Sequence, residues 1–357
     1  MTRVLFVAPL PPPITGQSRA CRALLDDLEA DPDVEVVVID LMKGEHRPGF
    51  TLAQARRVPG LVREVARGAR AADAVYLNLA QSLAGNAKDL LLLAALGEAR
   101  ARTVVHLHGG GIAETVYGRS SLVRAANRRL LRDVRRAIVL GESLRPVFAG
   151  VVPDDRIAVV ENFADDELFV DEAAIRERFA AAGPLRVLFL GTLFESKGWK
   201  VLVEAVARVD GVELDVAGAS VTADDAPADR AFLDRPRVAF HGVVDGEARR
   251  ALLAGAHLLA LPTWYPYEGQ PLSILEAFAS GCAVLTTDHS GIRDVFSDPD
   301  HGAFVEPRSV DALAAALTRA RDDRAAWTDR ALAARRHAER FRRARHLAAL
   351  RGVLLGG

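Results

Sequence analysis

Short apolar runs alternate along this chain with stretches whose apolar residues recur at helical spacing. The runs at 3–8, 34–41, 74–79, 103–107, 137–140 and 157–160 are predominantly apolar rather than alternating. Runs of that kind predict strands buried on both faces, as in a parallel sheet with helices on either side. Helical spacing predicts helices over 18–30 and 89–101. The pattern then breaks: 165–177 is acidic and 180–184 is a run of small residues closed by Pro184. It restarts with strands expected at 186–190, 213–217, 237–241, 257–261 and 283–286, and a helix at 199–209. Arg-rich helices are expected over 310–321 and 325–350.

Two such β-α series predict an α/β chain with two Rossmann-like domains facing each other across a cleft. The expected division is 1–183, 184–335, and a terminal helix at 336–357 returning to the first domain. Ligands of open α/β sheets bind beyond the carboxyl ends of the strands, so each wall of the cleft should carry part of a site.

Composition narrows the picture. A chain of 357 residues that is half hydrophobic can bury two cores. Its net charge of −1 gives no overall attraction to nucleic acid. Cys21 and Cys282 are isolated in sequence, which suggests neither a disulfide framework nor a zinc site. The apolar run near Met1 is stopped by Pro9, Pro11, Pro12 and Pro13 and reads as a first strand rather than a cleaved signal. The apolar stretch at 90–97 is too short to span a bilayer. A cytoplasmic protein is expected.

The segment 261–281 carries the chemistry: strand end, aromatic loop, then helix. Pro271 suits a first helical turn and Gly281 a helix end. Backbone N–H groups around Gly269, Gln270, Pro271, Leu272 and Ser273 would then meet a ligand, and a helix N-terminus favours an anion such as a diphosphate. Glu276 could accept hydrogen bonds from vicinal hydroxyls, and Glu268 precedes the helix. On residue type alone, two Glu at this spacing are ordinary helix-terminal charges.

Glu268-x7-Glu276, with the following Ala-Phe-Ala-Ser-Gly and Gly291-Ile-Arg-Asp-Val, resembles the signature of retaining family 4 glycosyltransferases of GT-B fold. Three further segments resemble that family in the same order: the glycine loop around Gly16, the histidine loop Val105-His-Leu-His-Gly-Gly-Gly, and Leu190-Gly-Thr-Leu-Phe-Glu-Ser-Lys-Gly-Trp. The resemblance implies that Gly16, Gln17, Gly191, Thr192 and Lys197 bind the donor, with the nucleobase near His241, Gly242 and Val243. It implies catalytic-side roles for His108 and Glu268 near the transferred sugar, and a ribose role for Glu276. Otherwise Lys197 reads as a solvated loop lysine, and Gln17 and Ser18 as caps of the following helix. His106 reads as a packed core histidine. The family often has Arg where Thr192 stands, so one phosphate-binding cation is expected to be missing.

The implied function is retaining transfer of a hexose-type sugar from a nucleotide diphosphate sugar, UDP- or GDP-linked, to a hydroxyl acceptor. The family generally needs no bound metal. Two rivals stay open: another GT-B enzyme, such as a nucleotide-sugar epimerase or sugar phosphorylase, and a non-enzymatic two-lobed binding protein. The arginines at 124, 128, 129, 132, 135 and 136 read as a solvated helix face or as a peripheral contact with anionic lipid. The acceptor and the oligomeric state stay open.

Overall fold

The computed structural model describes residues 1–43, 52–220 and 227–356. They form two compact units. The first comprises Met1–Glu161, Tyr267–Gln270 and Ala344–Gly357; the second comprises Asn162–Pro266 and Pro271–Arg343.

The first unit contains β1 (Thr2–Ala8), α1 (Gly16–Glu29), β2 (Val34–Asp40), α2 (Leu52–Ala71), β3 (Ala74–Leu79), α3 (Leu83–Ala95), β4 (Thr103–Leu107), α4 (Ser121–Leu131), β5 (Arg136–Val139) and β6 (Ile157–Val159). Its strands pair in parallel in the order β2-β1-β3-β4-β5-β6. The second contains α5 (Glu172–Ala180), β7 (Leu185–Leu190), α6 (Trp199–Ala207), β8 (Val212–Ala217), α7 (Pro227–Leu233), β9 (Val238–Phe240), α8 (Gly246–Gly255), β10 (Leu258–Leu261), α9 (Leu272–Ala279), β11 (Ala283–Thr286), β12 (Gly302–Phe304), α10 (Val310–Asp322) and α11 (Arg324–His337). Its parallel order is β12-β11-β10-β7-β8-β9. The last helix, α12 (Arg343–Leu355), belongs almost wholly to the first unit.

These orders locate the binding positions. The direction of winding reverses between β1 and β3 in the first sheet and between β7 and β10 in the second. At such a point the loops after neighbouring strands lead away to opposite faces and open a crevice. The loops that matter are therefore those after Ala8, Leu79, Leu190 and Leu261.

The continuous apolar strands are buried on both faces, as their composition requires. Along β1, Val4 and Phe6 join a cluster with Leu24 and Leu25 of α1 and Leu350 and Leu354 of α12. The alternate residues Leu5 and Val7 face the other way, with Leu61 and Val65 of α2 and Leu92 and Leu93 of α3. In the second unit one core joins Val187 and Phe189 of β7 to Leu202 and Val203 of α6, Phe278 of α9 and Trp327 of α11.

Several expectations are corrected. The acidic stretch read as a break contains α5, which buries Ile175 and Phe179 in the second core. Helix α2 was not anticipated because Pro59 lies in its interior, where proline normally breaks a helix. Helix α3 starts at Leu83, capped by Ser82, rather than at Asp89. Asp89 misleads because it is fully buried inside the helix, accepting from the Ala80 N–H at 2.7 Å. Strand β12 was missed; it has only three residues. The single helix expected over 325–350 is divided into α11 and α12. Between them Phe341 is buried and its carbonyl accepts from the Ala164 N–H at 2.9 Å. Arg342 lies 3.6 Å from the centre of the Phe169 ring. These tertiary contacts outweigh the helix propensity of an Arg-rich segment.

No helix among the described residues is long and apolar enough to cross a membrane.

Candidate active site

In the second unit, the loop after β7 carries Gly191, Thr192 and Lys197. Built onto Gly191, a Cβ would meet nothing within 4 Å, so the backbone there is open on that side. Lys197 is followed by Gly198 at φ +82°, where a Cβ would lie 2.3 Å from the Pro262 carbonyl oxygen. Glycine is needed there for both reasons. It lets the β7 loop lie directly against the loop after β10, and the Trp264 N–H donates to the Ser196 carbonyl at 2.7 Å. The Lys197 ammonium sits 4.9 Å from the centre of the Tyr265 ring, on whose plane Phe194 stacks. The lysine is thus fixed at the reversal point of the sheet.

Helix α9 begins at the same point. Pro271 is its N-cap and no side chain caps it. Its first-turn N–H groups are the kind that take an anion. Leu272 and Pro271 are buried, and Ser273 keeps partial exposure. Gly281, at φ +66°, follows the C-cap Ser280. Glu276 is 2% exposed and accepts from Arg249 Nη1 at 2.7 Å. Arg249, 5% exposed, also donates from Nη2 to Asp165 Oδ2 at 2.9 Å. A buried carboxylate stays ionised only when paired in this way. His241 lies just past β9, and its Nε2 is 2.7 Å from Asp215 Oδ1. Gly242 follows at φ +64°, and Val243 is 57% exposed.

In the first unit, β4 brings His106 and His108 to its carboxyl end. Their rings stack with centroids 3.9 Å apart. His106 is fully buried, with Nδ1 2.8 Å from the Tyr76 hydroxyl. Burial, with His108 and His346 adding repulsion, holds His106 well below the ordinary histidine range. His108 keeps some surface, but its Nδ1 is enclosed. Desolvation first, then His346, lowers it to about 3. Cys21 Sγ is 3.9 Å from His108 Nε2, and burial raises this thiol to about 12. Both imidazoles are therefore neutral near pH 7, and Cys21 is a thiol.

The Tyr267–Gln270 segment groups with this unit. The Glu268 carbonyl accepts from the Gly110 N–H at 2.7 Å. A Cβ on Gly109 would lie 2.2 Å from the Tyr267 carbonyl, and one on Gly269 would lie 2.5 Å from the His108 carbonyl. The two backbones can touch only because both positions lack a side chain. Gln81 ties them: it accepts from the Gly111 N–H at 2.8 Å and donates to the Tyr267 carbonyl at 3.2 Å. Glu268 and Gln270 are 5% and 3% exposed.

Of the expected capping by Gln17 and Ser18, the part of Ser18 is borne out as one half of a capping box, and that of Gln17 is corrected. Thr15 is the N-cap, accepting from the Ser18 N–H at 3.0 Å, and Ser18 Oγ accepts from the Thr15 N–H at 2.9 Å. Gly16 and Gln17 are the first residues of α1. Of the basic stretch, Arg124 is tied to the Ala149 carbonyl and Arg135 to the Leu354 carbonyl, while Arg128, Arg129 and Arg136 are exposed.

The structure thus gathers Gly191, Thr192, Lys197, Ser273 and Glu276 around the second sheet's reversal point, and His108 with Glu268 in the first unit. Sequence reasoning missed Arg249, Asp165 and Gln81. Only Gln81 had a signal, its place just beyond a strand's carboxyl end; Arg249 is one arginine among many. Among the described residues no group of three or more His, Cys, Asp or Glu is arranged to hold a metal ion.

Residues 184–323 match the family model described as Glycosyl transferases group 1. The chain is 28% identical over 203 residues to the putative teichuronic acid biosynthesis glycosyltransferase TuaC of Bacillus subtilis (strain 168), covering 57% of this chain and 47% of that protein. It is 35% identical over 172 residues to the glycogen synthase of Mycobacterium tuberculosis (strain CDC 1551 / Oshkosh), covering 45% of this chain and 41% of that protein. The matches therefore span less than half the length of these relatives. Among solved structures, Anabaena Alr3699/HepE in complex with UDP and glucose superposes with a TM-score of 0.75 at 18% identity, over 100% of both chains. The fold is the α/β GT-B architecture, built from two Rossmann-like domains.

Proposed function

We propose that this chain, whose residues 184–323 match the glycosyl transferases group 1 model, is a member of that family and transfers a hexose-type sugar from a nucleotide diphosphate sugar to a hydroxyl acceptor with retention of anomeric configuration. One observation carries the reading. Lys197 and the start of α9, which no side chain caps, flank the reversal point of the second sheet, and Glu276, within the same helix, is paired with Arg249. A diphosphate is what a lysine and free helix N–H groups bind together, and a carboxylate one helical turn on suits ribose hydroxyls.

In this proposal Gly191, Thr192, Lys197 and the Gln270–Ser273 backbone take the diphosphate of a UDP- or GDP-sugar. Glu276 takes the ribose, and His241, Gly242 and Val243 border the base. Gly16 and Gln17, at the start of α1, are assigned to the donor as well. His108 and Glu268 serve the transferred sugar. A neutral, partly enclosed imidazole suits hydrogen bonding to a sugar hydroxyl. Departure of the nucleoside diphosphate builds negative charge that Lys197 and the α9 dipole offset, so catalysis is mainly positioning and electrostatic stabilisation. The acceptor is a glycan, lipid-linked sugar or natural product, met by the first unit. The protein works in the cytoplasm, and the exposed Arg128, Arg129 and Arg136 offer a peripheral contact to an anionic membrane.

The test is a thermal-shift screen with UDP, GDP, ADP and dTDP and their hexose conjugates, because a ligand of the native state raises its stability. UDP or GDP and its sugar should raise Tm, and Glu276→Gln should remove most of the shift. No shift with any nucleotide would count against the reading. Proton coupling constants of the product's anomeric centre decide retention.

A further inference from the structure

A carboxylate buried to 2% exposure can serve hydroxyl donors only if it is ionised and held in one orientation. In this molecule Arg249 does the holding. We propose that Arg249 is a positioning residue for the donor ribose, clamped between Glu276 and Asp165; this rests on the reading of Glu276 as the ribose carboxylate.

The geometry is specific. The two terminal nitrogens of one guanidinium serve two carboxylates on different segments: Nη1 meets Glu276 Oε1 at 2.7 Å and Nη2 meets Asp165 Oδ2 at 2.9 Å. A planar fork fixed at two points cannot rotate, so its partner Glu276 is fixed too. Asp165 is itself held, with Arg343 Nη1 3.5 Å from its Oδ1. The four groups balance in charge. A bond pairing Arg249 with Glu276 alone would use both nitrogens on one carboxylate. Here the second nitrogen goes to Asp165 instead. Glu276 lies four residues beyond Leu272 on α9, about 6 Å along the axis. That is the scale of the distance from a nucleotide's α-phosphate to the far hydroxyls of its ribose. One helix can therefore present its N-terminus to phosphate and Glu276 to ribose, provided Arg249 keeps the side chain aimed.

The probes are UDP and 2′,3′-dideoxy-UDP, with the guanosine pair run alongside; the pair that binds the wild-type chain is used for all variants. Calorimetry should show that wild type prefers the ribo-nucleotide and that Glu276→Gln loses the preference. Arg249→Lys, whose single nitrogen cannot reproduce the rigid two-nitrogen fork, should weaken the ribo-nucleotide about tenfold, the scale of one charge-assisted hydrogen bond. Its affinity for the dideoxy analogue should hold, so the ratio falls toward one. Added to Glu276→Gln, the same change should cause no further loss. Asp165→Asn should move the ratio the same way with Arg249 intact, and it serves if Arg249→Lys does not fold. The inference is overturned if Glu276→Gln loses the preference while Arg249→Lys and Asp165→Asn keep it, or if the losses add. If wild type shows no ribose preference, or binds neither pair, the reading of Glu276 itself falls.

Discussion

At the scale of single residues, Gly191 and His108 make opposite kinds of test. Gly191 has open space where a Cβ would go. Gly191→Ala should leave Tm unchanged and weaken nucleotide binding if, as proposed, the new methyl group occupies the room of the phosphate; calorimetry and a melting curve decide it. His108→Ala and Glu268→Ala should each lower turnover about tenfold to a thousandfold while nucleotide affinity holds. Steady-state kinetics with a direct affinity measurement checks this, and a fully active, folded His108→Ala protein would remove His108 from the chemistry. With its pKa near 3, His108 should add no step near pH 6.5 to the kcat/KM profile. The buried histidines also bear on stability. An unfolded histidine gains a proton near pH 6.5, whereas folded His106 resists it until well below. Their burial therefore costs nothing above about pH 6.5, and stability is lost progressively as the pH falls below that value. Urea unfolding should show a loss of about 1 kcal/mol per such ring between pH 7.5 and 5.5. His106→Asn should flatten that slope; an unchanged slope would show that His106 does not drive it.

At the scale of elements, the loops after β7 and β10 are joined at Gly198. A side chain there meets both a positive φ and the Pro262 carbonyl 2.3 Å away. Gly198→Ala should destabilise the second unit by about 1–3 kcal/mol and displace Lys197, so donor affinity falls with stability. Denaturant unfolding and calorimetry on the same variant separate this from Gly191→Ala. Much of the element pattern was legible: β3, β4 and β11 occupy the predicted residues because their apolar runs are bounded by polar or turn residues. Elements escaped where a local rule was overridden. Pro59 hid α2, buried Asp89 hid the start of α3, and Phe341 divides a segment whose composition is uniformly helical.

At the scale of the whole molecule, α12 completes the first unit's core. Leu350 and Leu354 are 2% and 1% exposed and lie with Val4, Phe6 and Leu24. Each such side chain is worth about 1.5–3 kcal/mol when fully buried. Arg351 adds ion pairs to Asp27 and Asp31 of the first unit. A chain ending at Phe341 should expose that face of the sheet and fail to give a stable first unit. Circular dichroism and limited proteolysis should show cleavage within the first 161 residues. Leu350→Asp should act in the same direction in the full chain.

The sequence by itself determined the α/β class and the two β-α series, and it singled out the segments proposed to carry the chemistry. Burial on both faces of a parallel strand must be encoded in consecutive residues, and a glycine-flanked strand end is equally local. Tertiary structure alone decided which charges meet. Arg249 is 27 positions from Glu276 and 84 from Asp165. No spacing rule joins residues so far apart, and a buried ion pair forms only where the packed core brings its members together and excludes water. Likewise Tyr267–Gln270 reads as a loop between β10 and α9, yet it packs with the histidine loop. The bare backbones of Gly109 and Gly269 let the two segments close to hydrogen-bonding distance, and only the folded chain brings them side by side.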